Sequence, residues 1–472
     1  MGALAHRNFL KLLDFRGEEL ESFLPRWEAA AEKIGLTEKD VDFAVQEWIP
    51  AYWDTSLRGV RLCMAAYIRE LVEMCSLDQW KKAGSKVVYG IMPSQPVCYR
   101  AIKFAGGDKV KISYPDFLMA SVLNSFFNRA DPLMEDTTVM TPRCRHCGLN
   151  KLRLNARRQD RIVSPDVVWN WGLYCNEGPK TEELIQCLED PKWSYITTMV
   201  PHDQAYGSHE ADNEERVQYL AAQLEYAQKK IGEITGVPVE REHMCQAIEE
   251  YHSYIVRLDY LNHLVGNADP QPITGNEITL FGAPTGMAFD TGFRYLREAL
   301  ETMIREVEAR IAAGIGVLPK GAPKLGCHFI PFCLPWVDKA FLDQGVSLSF
   351  STCFAFSKEQ LNFIDCKNPY YTVAKHWYQG ANAVNMKDEA NIISEILKEY
   401  RLNGMLYGFY TFDRWLGAHQ KTMIQMVEKQ TGIQHFYIEG DFWDDENYRI
   451  EDRIRQIENI SYFLHMEKMI SI

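Results

Sequence analysis

The stretch that decides the fold is Lys86-Val-Val-Tyr-Gly-Ile-Met92, followed by the turn Pro93-Ser-Gln-Pro96. A short apolar run ending in a Pro-bounded turn reads as a buried strand of the parallel type. Residues 97–104 then read as a helix closed by Gly106-Gly107, and Val110-Lys-Ile-Ser113 as the next strand. The rhythm continues through Asp166-Val-Val-Trp-Asn170, a helix over 180–188, and Ser194-Tyr-Ile-Thr-Thr-Met-Val200. This alternation predicts an α/β lobe with a parallel sheet over residues 85–209.

Working outward, a helical segment is predicted over 210–320. Its clearest helix is 214–235, where Val217, Leu220, Ala221, Leu224, Ala227 and Ile231 form one stripe that Gly236 stops. Further helices are predicted over 240–266 and 290–313. Between them, residues 270–287 are rich in Gly, Pro and Thr and read as a loop. A second α/β lobe is predicted over 321–472, with strands at 326–330, 346–350, 404–409 and 434–441. Residues 1–84 read as a helical extension, with Thr37 as an N-cap and with Trp27, Trp48 and Trp53 as packing residues. The expected fold is therefore α/β, with two similar lobes of parallel sheet flanked by helices. Ligands in such sheets bind at the C-terminal ends of the strands.

The chain has 472 residues, 46% of them hydrophobic and 24% charged, with a formal net charge of −13. The acidic balance and the lack of a long basic run argue against a nucleic-acid platform, which needs clustered Lys and Arg. No signal-peptide core and no apolar window of spanning length is visible, so no membrane segment is expected. Twelve cysteines without a secretion signal predict free thiols in a reducing, cytoplasmic setting. Cys63, Cys75, Cys187 and Cys245 are read as core packing.

Three cysteines invite chemistry. Cys144-Arg-His-Cys147 is followed by Gly-Leu-Asn-Lys151, and Cys175 comes directly after the predicted strand at 166–170. Thiolates this close suit zinc or iron–sulfur ligation. A zinc knuckle would want a second CxxC, and none is present. A thioredoxin-type pair would open a helix, and 149–158 could be that helix. Two incidental thiols are the plain alternative. Glu439-Gly-Asp441 with Asp444-Asp445 is an acidic cluster after the last predicted strand. A solvated turn is its usual fate, and a role in site architecture is the other reading.

The order of these pieces resembles the large subunits of the 2-hydroxyacyl-CoA dehydratase and benzoyl-CoA reductase family. The resemblance runs over residues 85–466 and is strongest in Thr431-Gly-Ile-Gln-His-Phe-Tyr-Ile-Glu-Gly-Asp-Phe-Trp-Asp-Asp-Glu-Asn-Tyr448. Cys147-Gly-Leu-Asn-Lys151 is similar to the family's first cluster cysteine with its following basic residue. Val167-Val-Trp-Asn-Trp-Gly-Leu-Tyr-Cys175 is similar to the strand carrying the second. The resemblance implies a [4Fe–4S] cluster, a CoA thioester substrate, a related second subunit and an ATP-dependent iron–sulfur activator. It also implies one-electron reduction of the thioester, leading to dehydration or to ring reduction. At the place of the family's third cysteine this chain has Asp413. Three readings follow: Asp413 ligates iron, Cys144 supplies the missing ligand, or the chain is a cluster-free interaction subunit. A zinc-stabilised acyl-CoA-binding protein using Cys144, Cys147 and Cys175 is a further alternative. Lys151 would offset the cluster's negative charge. Trp169, Trp171, Trp415 and Trp443 hint at a bulky acyl group, although strand-end tryptophans are more often core.

Overall fold

The computed structural model describes residues 2–91, 94–134, 146–172, 177–200, 214–362, 364–379, 386–409, 414–444 and 449–470. Two four-stranded parallel sheets organise the chain. The first contains β1 (Lys86–Gly90), β2 (Val110–Ser113), β3 (Val167–Gly172) and β4 (Tyr195–Met199), in the order β2-β1-β3-β4. The second contains β5 (Lys324–Cys327), β6 (Ser347–Ser351), β7 (Gly404–Gly408) and β8 (Gln434–Ile438), in the order β6-β5-β7-β8. The two orders are the same topology. In each sheet the chain reverses its direction of winding between the first and third strands, so a crevice opens at their C-terminal ends. Strands buried on both faces explain the near-continuous apolar runs: the central β1, β3 and β7, and the edge strand β2 as well, have little exposed surface.

Helices cover the sheets and fill the flanks. The helix Glu214–Thr235 has the predicted bounds, with Val217, Leu220, Leu224, Ala227 and Ile231 buried, and Gly236 takes the left-handed conformation (φ 72°) that ends it. Thr37 caps Glu38–Phe43 through a capping box with Asp40. Trp27 and Trp53 are buried, and the indole N–H groups of Trp48 and Trp53 both donate to the Ser125 carbonyl at 3.0 Å. One continuous apolar core joins the N-terminal helices, the first sheet, the middle helices and much of the second sheet.

Two expectations are corrected. Residues 270–287 contain the helix Gly275–Gly282 and a short 3-10 turn at Ala283–Gly286. Thr274 caps that helix, accepting from the Glu277 N–H while Glu277 Oε2 accepts from the Thr274 N–H at 2.8 Å. This capping box outweighs the Gly and Pro content around it. Cys63 and Cys75 are buried as expected, but Cys187 is exposed and Cys245 is half-buried. Cys187 lies near the C-terminal end of the helix Glu177–Leu188, whose Leu188 is also exposed.

Buried carboxylates tie the N-terminal helices to the rest. Glu70 accepts from the Asp290 N–H at 2.6 Å and from the Thr291 hydroxyl at 2.8 Å. Burial, with Asp290 beside it, pushes Glu70 up to about 8. Glu277 accepts from the Asp54 N–H at 2.9 Å, and Asp338 from the Asn276 N–H at 2.9 Å. Burial pushes each of these two up to about 7. In the unfolded chain such groups ionise near 4. Between the two values the folded chain binds more protons than the unfolded one, so stability present at low pH is lost as pH rises through 7 to 8. The thermal unfolding midpoint is expected to fall by several degrees between about pH 5 and pH 7.5. Glu277→Gln, which is neutral throughout, should make that slope shallower; a midpoint that rises over the window would contradict the assignment.

Candidate functional site

The site is built where the first sheet's helices meet the turn after β8. Cys147 is the N-cap residue of the helix Gly148–Arg158, and its carbonyl accepts the Lys151 N–H at 3.0 Å, closing the first turn. Only 6% of Cys147 is exposed. The first-turn N–H groups of any helix lack partners within it. Here the Gly148 N–H donates to Asp441 Oδ2 at 3.0 Å, and the Trp443 N–H donates to Asp441 Oδ1 at 2.9 Å. One helical turn on, Lys151 Nζ donates to Asp444 Oδ2 at 2.5 Å. The Asn124 side chain donates to the Trp443 carbonyl at 2.7 Å and steadies the turn from a third element. Gly148 is required by this close approach. A Cβ there would stand 2.8 Å from Trp443 Cβ and 3.0 Å from Asp444 Cβ.

Two members of the acidic cluster are architectural: Asp441 and Asp444 are each 6% exposed, whereas Glu439 is exposed and Asp445 lies outside the described residues. Burial, the dominant cause, pushes Asp441 up to about 7, against the opposing pull of the Trp443 N–H. Lys151 is bound to Asp444, so its ammonium is shared with the turn that holds the helix.

Of the residues named from the sequence, Cys147 and Lys151 are placed. Cys144, Cys175 and Asp413 lie outside the described residues. Cys175 follows the end of β3 by three residues, and Asp413 follows the end of β7 by five. Both strand ends flank the winding reversals. At the end of β7, Gly408 has φ +119°, and a Cβ there would fall 1.8 Å from the Ile438 carbonyl oxygen, so only glycine lets the chain leave this strand as it does. Among the described residues no group of three or more His, Cys, Asp and Glu side chains is arranged to hold a metal. The one candidate ligand among the described residues is Cys147, a buried thiol at a helix N-cap, a soft donor of the kind iron–sulfur and zinc sites use.

Several polar groups went unnoticed in the sequence. Arg153, one helical face along from Asn150, bridges Asp116 Oδ2 at 3.3 Å and Glu182 Oε1 at 3.1 Å in the core of the first sheet's helices. In the second sheet, His328 directly follows β5. Burial lowers its pKa to about 3 and keeps it neutral. Thr352 Oγ1 lies 3.4 Å from its Nδ1 and Cys353 Sγ lies 4.0 Å from its Nε2. His419 Nε2 pairs with Glu389 Oε2 at 2.7 Å, and the rings of His328, Tyr407 and His435 form a stacked row. The signal that could have found His328 is its position after a strand beside the winding reversal. The tryptophans fit the core reading. Trp169 packs on Tyr99 and donates to Thr198 Oγ1 at 2.8 Å. Trp171 packs on Trp377, and Trp443 packs between Phe117 and Phe442. The Trp415 side chain lies outside the described set.

The family described as 2-hydroxyglutaryl-CoA dehydratase, D-component, matches residues 145–458. That span takes in Cys147, Lys151, Cys175, Asp413, Asp441 and Asp444, and leaves Cys144 outside. The chain is also 22% identical over 309 residues to the (R)-2-hydroxyglutaryl-CoA dehydratase subunit alpha of Acidaminococcus fermentans. The match covers 62% of this chain and 59% of the relative's length.

Three variants test the contact. Lys151→Met leaves Asp444 buried without its cation, and loss of one partner of a buried pair costs about 3–5 kcal/mol. The double variant Lys151→Met/Asp444→Leu should recover a large part of that loss in urea unfolding. Gly148→Ala forces the helix off the turn at a cost of about 1–3 kcal/mol. Stabilities equal to that of the parent chain would show that the contact does not form.

Proposed function

The chain belongs to the 2-hydroxyglutaryl-CoA dehydratase D-component family, and from that premise we propose that it is one subunit of an oxygen-sensitive acyl-CoA enzyme. The reaction is dehydration of an (R)-2-hydroxyacyl-CoA or reduction of an aryl-CoA ring, through a one-electron-reduced thioester. Cys147 and Cys175, with Asp413 or Cys144 as the third ligand, would hold a [4Fe–4S] cluster. When bound, the cluster would supply electrons at low potential. The observation that carries this reading is the fixed placement of the Cys147 thiol at a helix N-terminus, locked by Asp441 and by the Lys151–Asp444 pair.

The chain's own residues have distinct parts in this scheme. Asp441 and Asp444 fix the first turn of the Cys147 helix. The apolar and aromatic packing around Trp443, Phe117 and Phe442 keeps water from that turn, which protects a reduced, radical-forming site. A related second subunit completes the enzyme, and an ATP-dependent iron–sulfur activator supplies the electron. The assembly works in the cytoplasm.

A second reading is favoured by Asp413, since oxygen is a poorer iron–sulfur ligand than thiolate: a cluster-free subunit that stabilises a related catalytic one. Anaerobic purification, alone and with a co-expressed related subunit, separates the two. The cluster reading expects about four irons and about four sulfides per chain, lost in Cys147→Ser. A colourless chain after anaerobic reconstitution, beside a related subunit that reconstitutes normally, would overturn it.

A further inference from the structure

The helix Arg241–Asn267 runs antiparallel to the segment 354–366, and three side chains rise from it like rungs. The Asn262 side chain donates to the Phe354 carbonyl at 3.1 Å. His252 Nε2 meets the Leu361 carbonyl at 2.7 Å. The Cys245 thiol donates to the Cys366 carbonyl at 3.5 Å, which sets it beside that residue. Both cysteines are free and half-buried, so both keep a face toward solvent. The Cys366 turn is held in place: the Lys367 N–H donates to Asp365 Oδ1 at 2.8 Å, and Thr372 Oγ1 donates to the Asp365 carbonyl at 2.7 Å. Two neighbouring thiols, on segments fixed by other bonds, form a preorganised pair.

We propose that Cys245 and Cys366 form a redox-active dithiol that reacts with small disulfides by thiol–disulfide exchange. Burial and the Cys366 side chain push the Cys245 thiol up to about 12. The Cys245 proton is held by the Cys366 carbonyl, so Cys366 makes the first attack and Cys245 resolves. Cys366 attacks one sulfur of the small disulfide, and the first small thiolate leaves. Cys245 then attacks the mixed disulfide, and its proton goes to the second departing thiolate. The two protein thiols are oxidised to one disulfide, and the small disulfide is reduced to two thiols. The new bond ties the middle helix to the connection between β6 and β7, adding a covalent rung to the two hydrogen-bonded ones. This inference does not depend on a cluster being bound.

The test uses the full chain, purified anaerobically and treated with glutathione disulfide. Free thiols are then blocked, and the protein is digested without reduction for mass spectrometry. The expected product is a linked peptide pair joining Cys245 to Cys366 that dithiothreitol separates. The oxidised parent chain should melt a few degrees higher than the reduced one, because the bridge closes a long loop. That rise should vanish in both Cys366→Ser and Cys245→Ser. Exposed Cys187 reports that the reagent worked, by forming a mixed disulfide. Recovery of Cys245 and Cys366 as separate alkylated or glutathionylated peptides, with Cys187 modified, would overturn the proposal.

Discussion

The structure depends on one contact between elements 293 residues apart: the Asp441 carboxylate on the N–H of Gly148. A helix begins with donors that have no partner of their own. Here the missing acceptor comes from the turn after β8, the last strand of the second sheet. The Lys151–Asp444 pair repeats the attachment one turn on. A glycine at 148 is what lets the two backbones come close enough for both. Removing a cross-sheet partner would leave a buried donor or charge unsatisfied, a larger loss than the bond itself is worth.

This contact matters because the candidate ligands are distributed over both halves of the chain. Cys147 opens a helix beside the first sheet. β3 leads toward Cys175, and β7, through Gly408, leads toward Asp413. The two sheets share one strand order, so their ligand-binding crevices lie at corresponding strand ends. A site drawing on both crevices needs the sheets held in a fixed relation, and the acidic turn provides that link. The neutral, buried His328 lies at the end of β5, and a second buried pair, His419–Glu389, belongs to the same half of the chain.

Much of the fold was legible in the sequence because local signals agreed with the tertiary outcome. Strands buried on both faces read as apolar runs, and the helix Glu214–Thr235 carried an unbroken stripe closed by glycine. The helix Gly275–Gly282 was missed because Gly and Pro were counted, while the Thr274…Glu277 capping box was passed over. The helix Pro369–Tyr378 has no such box; its local start signal is Pro369 at the first helical position, after Asn368. For the site, the cysteine and its lysine were legible. The acidic residues were visible but could not be assigned, because the fate of Asp441 is set by a helix that precedes it by almost 300 residues. Cys187 went the other way: cysteine's habit of burial did not hold on an exposed helix end.

The account is tested most directly by hydrogen exchange at the Gly148 amide. If that N–H is bound to Asp441, a peptide covering the first turn of the helix should exchange as slowly as the central strands β1 and β3. In Asp441→Ala it should exchange far faster, while the strands keep their protection. Fast exchange of the Gly148 amide in the unaltered chain, or no change in the variant, would mean that the two sheets are not joined through this turn.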